Sequence, residues 1–228
     1  MTFVYYLLFS LVVFLSALIG YKKFRSTTLY ALAIGGVVNA NFFHGGNYPI
    51  MCFGLPFGID SIIYTLFVFC VIVMFVKVGK KSAYTLAFSS IIAIMFSALM
   101  QFFATLLSGV GMETLWPTFL TFCVSSVASV IAMIAVLEIL SLLKNKTNSY
   151  VLLILGVVIA TAINSPIYYS LAVLLNGTPA NLWVLIATSV IGKIIALLCG
   201  LLTMFVINKI DNTKKQENEE EQAESQAE

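Results

Sequence analysis

Charge is what this sequence has least of. Lys, Arg, Asp and Glu together make up 10% of its 228 residues, where a soluble domain carries about a quarter. The single histidine, His44, cannot build a His-rich metal centre. The four cysteines, Cys52, Cys70, Cys123 and Cys199, lie far apart with no CxxC. They read as small membrane-buried hydrophobes, so no disulfide framework and no metal site is expected. HExxH, GxSxG and a deep aspartate pair are also missing, so neither an enzyme nor a cofactor is expected. What is present is apolar: 61% of the residues are hydrophobic, with a mean hydropathy of +1.03. No soluble core needs that much, and lipid as the solvent explains the surplus. Water-soluble enzymes, nucleic-acid-binding domains and disulfide-stapled secreted domains are set aside on composition alone.

The predicted fold class is all-α, a polytopic membrane helical bundle. A spanning helix needs about 20 mostly apolar residues. Candidate spans run over 2–21, 27–43, 61–78, 83–107, 118–143, 149–175 and 182–208. The stretch 50–58, IMCFGLPFG, is apolar but broken by Gly and Pro. It is read as a re-entrant or interfacial piece packed against the bundle.

The basic residues decide between six and seven spans. Lys22, Lys23 and Arg25 follow the first span; Lys77, Lys80 and Lys81 surround the 3–4 connection. Lys144 and Lys146 sit in the 5–6 connection, and Lys209, Lys214 and Lys215 follow the last span. Eleven of twelve basic residues therefore fall on one side, facing Asp60, Glu113 and His44 on the other. Seven spans give this separation and six scatter it. The positive-inside rule then predicts the N-terminus outside and the C-terminus in the cytoplasm, in a multi-pass plasma-membrane protein. The basic cluster follows the first apolar run, so that run is expected to be a retained span rather than a cleaved signal peptide.

Two units follow. Residues 1–210 form the bundle, with ten Lys/Arg against three acids; residues 211–228 carry two Lys and seven acids. The latter are predicted to be a disordered acidic cytoplasmic tail.

Lys193, in TSVIGKIIALLCG, is the one basic residue deep inside a span. It lies some 16 residues from the end of span 7, roughly 24 Å at 1.5 Å per residue. An intramembrane lysine is a functional-site candidate. The same arithmetic brings Asn164 and Ser165, Asn39 and Asn41, Gln101, and Ser125 and Ser126 to comparable depth, and Tyr168 extends the Asn164 face. Such a belt suits a flat, neutral, hydrogen-bonding heterocycle; the bland reading is polar glue between helices. Glu138 lies near the close of span 5 and is expected to face the mouth or pair with loop lysines. By the depth count no Asp or Glu accompanies Lys193, which argues against a retinal-type photoreceptor.

Small residues recur every four positions: Ala31, Gly35, Asn39 in span 2; Gly156, Ala160, Asn164 in span 6; Gly192, Ala196, Gly200 in span 7. Each trio lies on one helix face and predicts a packing seam. Pro166 is expected to kink span 6 just after Asn164.

Three stretches carry a family likeness. YKKFRSTTLYALAIGGVVNAN (21–41) resembles the opening of the VUT/YhhQ family of queuosine-precursor transporters, including the Ala40-Asn41 pair. FVKVGKKSAY (75–84) resembles its Gly-Lys-Lys-x-Ala stretch, and SVIGKIIALL (189–198) its last-span lysine region, with Lys193 matching. The family's acids before the Gly-Lys-Lys loop are absent from FCVIVMFVKVGKK. The resemblance implies uptake of a 7-deazaguanine-like base by a compact bundle similar to the substrate-binding subunits of energy-coupling-factor vitamin transporters. The expected partners are a small-molecule substrate and membrane lipid, with no nucleic acid, and a second copy or coupling subunits as further candidates. The competing readings are a capture subunit of such a vitamin transporter, and a membrane protein with no transport role.

Overall fold

A computed structural model describes residues 2–45, 50–52, 55–109, 111–176 and 182–227. Its helices are α1 (Thr2–Phe24), α2 (Ser26–Gly45), α3 (Ile59–Lys77), α4 (Lys80–Leu107), α5 (Met112–Leu143), α6 (Ser149–Asn176) and α7 (Leu182–Ala227). Six of these are long and apolar enough to cross a membrane among the described residues. The 20-residue α2 is the helix outside that set. The chain is thus an all-helical, multi-pass membrane protein apart from one short hairpin.

That hairpin is the broken segment after α2. Strands β1 (Ile50–Cys52) and β2 (Leu55–Phe57) pair antiparallel, with Ile50 opposite Phe57. β1 touches α1 and β2 touches α7. The segment therefore packs against the bundle as expected, but as paired strands. Pairing satisfies backbone groups that water would otherwise have to satisfy.

The core is organised around α3, which touches each of the other six helices. Between Ser61 and Phe75 every residue except Tyr64 is buried. A helix apolar all round has no outer face to show, so it takes the centre. The remaining helices turn apolar side chains outward: Val12 on α1, Ile92 and Phe96 on α4, and Leu198 and Phe205 on α7 are exposed. Lipid is the solvent in which such surfaces are stable. Trp116 and Trp183 are both exposed, near the starts of α5 and α7. Both lie at the end away from the lysines, a position that suits an interfacial aromatic.

Tight approaches replace side chains where helices cross. At Gly156 a Cβ would collide with Ile72 of α3 and come within 3.0 Å of Leu140 of α5. At Gly200 it would stand 2.9 Å from the Phe14 ring of α1. The seams of spans 6 and 7 therefore pack as predicted. The span 2 seam does not: Ala31 and Asn39 are exposed, and a Cβ on Gly35 would meet nothing within 4 Å. The buried stripe of α2 is Leu29, Ala33 and Val37 instead. Spacing by four names a face but not the direction it points, and here the larger apolar side chains win the core.

α1 and α2 are joined through Arg25 alone, at φ 57°, with its N–H donating to the Tyr21 carbonyl at 2.8 Å. α3 and α4 turn at Gly79, whose φ of 134° few residues but glycine adopt. Helix α7 continues through the acidic tail to Ala227, where unstructured chain was expected. Its run of Lys, Gln, Glu and Ala consists largely of good helix formers.

Candidate functional site

Three of the predicted polar residues meet directly. Lys193 of α7 is 5% exposed. Its Nζ donates to Ser165 Oγ at 2.8 Å and to Asn164 Oδ1 at 3.2 Å, both on α6. It also stands 4.5 Å from the centre of the Tyr64 ring on α3. A desolvated ammonium over an aromatic face gains about 2 kcal/mol. Asn164 then uses its Nδ2 to donate to Ser129 Oγ of α5 at 3.4 Å. One chain of hydrogen bonds thus ties α7, α6 and α5 at the level of Lys193.

This chain borders a cavity of about 80 Å³ lined from α2 through α7. Ser125 and Tyr168, both expected, line it; so do Asp60, Tyr64, Ser129, Tyr169 and Ser189, which were not. The Tyr168 and Tyr169 rings meet edge to face at 5.1 Å, and Tyr169 donates to the Leu185 carbonyl at 3.2 Å. The Tyr64 hydroxyl is buried and has no hydrogen-bond partner among the described residues. A buried unpaired hydroxyl costs roughly 1–3 kcal/mol, so a polar occupant of the cavity would be stabilised there.

Other expected members lie elsewhere. Asn39 is exposed and donates back to its own helix, to the Gly35 carbonyl at 2.7 Å. Gln101 and Ser126 do not line the cavity; Ser126 is buried and donates to the Phe122 carbonyl at 2.9 Å. The side chain of Asn41 lies outside the described residues. Pro166 sits inside α6, which runs on to Asn176. Lacking an N–H, it leaves the Ala162 carbonyl without its helical donor, directly beside Asn164 and Ser165.

The depth count for acids needs correction. Asp60 lines the same cavity as Lys193, and its charge acts on Lys193, Tyr168 and Tyr169. Depth was measured from the lysine-rich end. Helical side chains tilt toward their own N-terminus, and for α7 that is the end where α3 begins with Asp60. Lys193 therefore reaches toward the acid rather than away from it. The missing counter-ion therefore no longer argues against a Schiff-base chromophore.

Glu138 lies apart, as expected, and pairs with Lys80, which the structure places at the start of α4 rather than in the loop. Lys80 Nζ is 2.7 Å from Glu138 Oε2, and the Tyr84 hydroxyl donates to Oε1 at 2.7 Å. The pair is about half exposed, a setting in which ion pairs contribute little to stability. Cys70, Cys123 and Cys199 are free. No group of potential metal ligands occurs among the described residues.

Compared with protein-family models, with curated proteins and with solved structures, the chain matches none of them.

Proposed function

We propose that this protein is a carrier, not an enzyme, for a small heterocyclic metabolite. It would span the plasma membrane seven times, with its N-terminus outside and its acidic tail in the cytoplasm. The substrate is a 7-deazaguanine-like queuosine precursor, or a related purine- or vitamin-like compound. One observation carries the reading. Within the bundle, a cavity is lined by an ammonium, an amide, hydroxyls and two phenol rings packed edge to face, and the Tyr64 hydroxyl has no hydrogen-bond partner among the described residues. Amide and hydroxyl groups match the edge of a base, and the Tyr64, Tyr168 and Tyr169 rings match its faces. Asp60 adds an acceptor to the lining of the same cavity. The motif likeness to queuosine-precursor transporters supports the choice of substrate.

Ligand pockets usually measure about 300 Å³ or more, against about 80 Å³ here. Loading therefore requires the helices around α3 to part, as alternating access demands. The test is uptake of a labelled 7-deazaguanine precursor by cells lacking their own synthesis and transport. Wild-type protein should support uptake, and Tyr64→Phe, which removes only the unpaired hydroxyl, should reduce it at equal membrane abundance. Correctly inserted wild-type protein that gives no uptake overturns this substrate. Uptake untouched by Tyr64→Phe overturns the site.

A further inference from the structure

We propose that Lys193 carries a proton through each transport cycle together with the substrate, so that the carrier is a proton symporter. The inference rests on the transport reading and names what drives it.

The hydrogen-bond partners of the Lys193 amine can hold either of its protonation states. Nζ is bonded to Ser165 Oγ at 2.8 Å and to Asn164 Oδ1 at 3.2 Å, both neutral. A carboxylate in their place would only accept, and would pin the charged form. A hydroxyl rotates: it accepts from an ammonium or donates to the lone pair of a neutral amine. The buried Ser10, Ser90 and Ser126 each spend their hydroxyl on a carbonyl one turn back in the same helix. Ser165 makes no such bond among the described residues, so its hydrogen is available to the amine.

The cavity also gives the proton a way in. Its lining includes Asp60, in the first turn of α3. Tyr64 lies four residues on, on the same helix face, and its ring stands 4.5 Å from Nζ. The other titratable groups that face Lys193 are phenols: Tyr168 and Tyr169 on α6, and Tyr6 on α1, whose hydroxyl donates to the Gly192 carbonyl at 3.1 Å. α2, α4 and α5 bring no titratable side chain to the cavity, and β2, which also packs on α7, has none. Ionisable groups inside a membrane commonly serve as proton relays. Facing outward, the neutral amine takes a proton from water onto its lone pair, with Asp60 as the relay, and the ammonium binds the base. Facing the cytoplasm, one N–H bond breaks and the proton leaves to water. The base loses its charge-assisted contact and follows. The empty carrier returns with a neutral amine, the form that is less costly to bury, and Asp60 ends the cycle as it began.

The test uses the full-length protein in proteoliposomes with a weakly buffered lumen that contains a pH-sensitive dye. The membrane potential is clamped with valinomycin and equal potassium on both sides. At equal pH, adding a labelled 7-deazaguanine base outside should acidify the lumen by about one proton per base taken up. With the outside one pH unit more acid, the base should accumulate up to about tenfold, the worth of one proton moved across one pH unit. Lys193→Met, with the base raised to offset weaker binding, should equilibrate with neither accumulation nor acidification. Lys193→Arg, which keeps its proton throughout, should behave the same way. Wild-type uptake that reaches one level with and without the pH difference overturns the coupling and leaves the carrier reading standing. Accumulation by Lys193→Met overturns Lys193 as the coupling group. Wild-type protein that neither binds nor takes up the base overturns the carrier reading and the coupling with it. Should both Lys193 variants fail to insert, Ser165→Ala decides: it should accumulate less base than wild type, and unchanged accumulation overturns the assignment.

Discussion

Replacing Lys193 by Met keeps most of the stem's volume and deletes the ammonium. In stability, two effects oppose each other. The substitution removes hydrogen bonds to Ser165 and Asn164 at 2.8 and 3.2 Å and the contact with the Tyr64 ring. Bonds to a charged group contribute about 1.5–3 kcal/mol each. It also removes an ammonium whose burial costs several kcal/mol. Asn164 keeps its bond to Ser129, so only part of the network is orphaned. The net change in stability is expected within about 2 kcal/mol of zero, of either sign. Substrate binding has no such compensation. Losing one charge-assisted contact of about 1.5–3 kcal/mol should weaken Kd by about 10–150-fold. Lys193→Arg should bind weakly too, because a planar guanidinium does not reproduce both contacts of a compact ammonium. The assay is equilibrium binding of the labelled heterocycle to purified wild type and both variants, with Tm measured in the same detergent. Ser165→Ala completes a double-mutant cycle, with an expected coupling of about 0.5–3 kcal/mol. A folded Lys193→Met protein that binds within about twofold of wild type, well below the loss expected for one charge-assisted contact, would refute the reasoning and leave Lys193 as glue between α6 and α7.

Packing and topology give two further expectations. Gly156→Leu should cost about 1–3 kcal/mol of stability through overpacking against Ile72 and Leu140, read as a lower Tm. Gly35→Ala meets open space and should leave stability unchanged or add up to about 1 kcal/mol, so that Tm holds or rises; equal losses at both glycines would contradict the packing described. In a variant without its native cysteines, single cysteines at positions 81 and 146 should react with a membrane-impermeant maleimide only from the cytoplasmic side, and one at 113 only from outside. Labelling of 81 and 113 from the same side would overturn the seven-span topology.

The helices were largely legible because lipid imposes a length. The predicted spans and the observed helices share their cores, and boundaries such as 83–107 against Lys80–Leu107 differ by a few residues. The basic residues reported the connections because a lysine is costly anywhere else along a span. What composition could not reveal was local pairing: IMCFGLPFG was read as a Gly/Pro-broken re-entrant or interfacial piece, yet nothing in its hydropathy says that Ile50 faces Phe57. The α2 seam failed for a related reason. A repeat of four is present on more than one face of that helix, and only the neighbours decide which face is buried.

The site was half legible, and the missing half follows a simple rule. Depth arithmetic found Lys193, Asn164, Ser165 and Ser125 because each sits near the middle of a span. It missed Ser129, Ser189 and Tyr64, each one turn along its helix from Ser125, Lys193 and Asp60 respectively. Residues four apart share a helix face, so each polar residue found should have been followed a turn in both directions. Asn164 was followed in this way, and that is how Tyr168 was found. Asn39 shows the limit of depth alone: it has the right level and the wrong azimuth, and it bonds its own backbone. Asp60 shows the opposite error. Its level, taken at the backbone, is shallow, but a lysine side chain on a helix leans toward the helix start. A charged pair in a membrane has to be sought along the directions its side chains take, and in this bundle those directions bring Asp60 and Lys193 into one cavity.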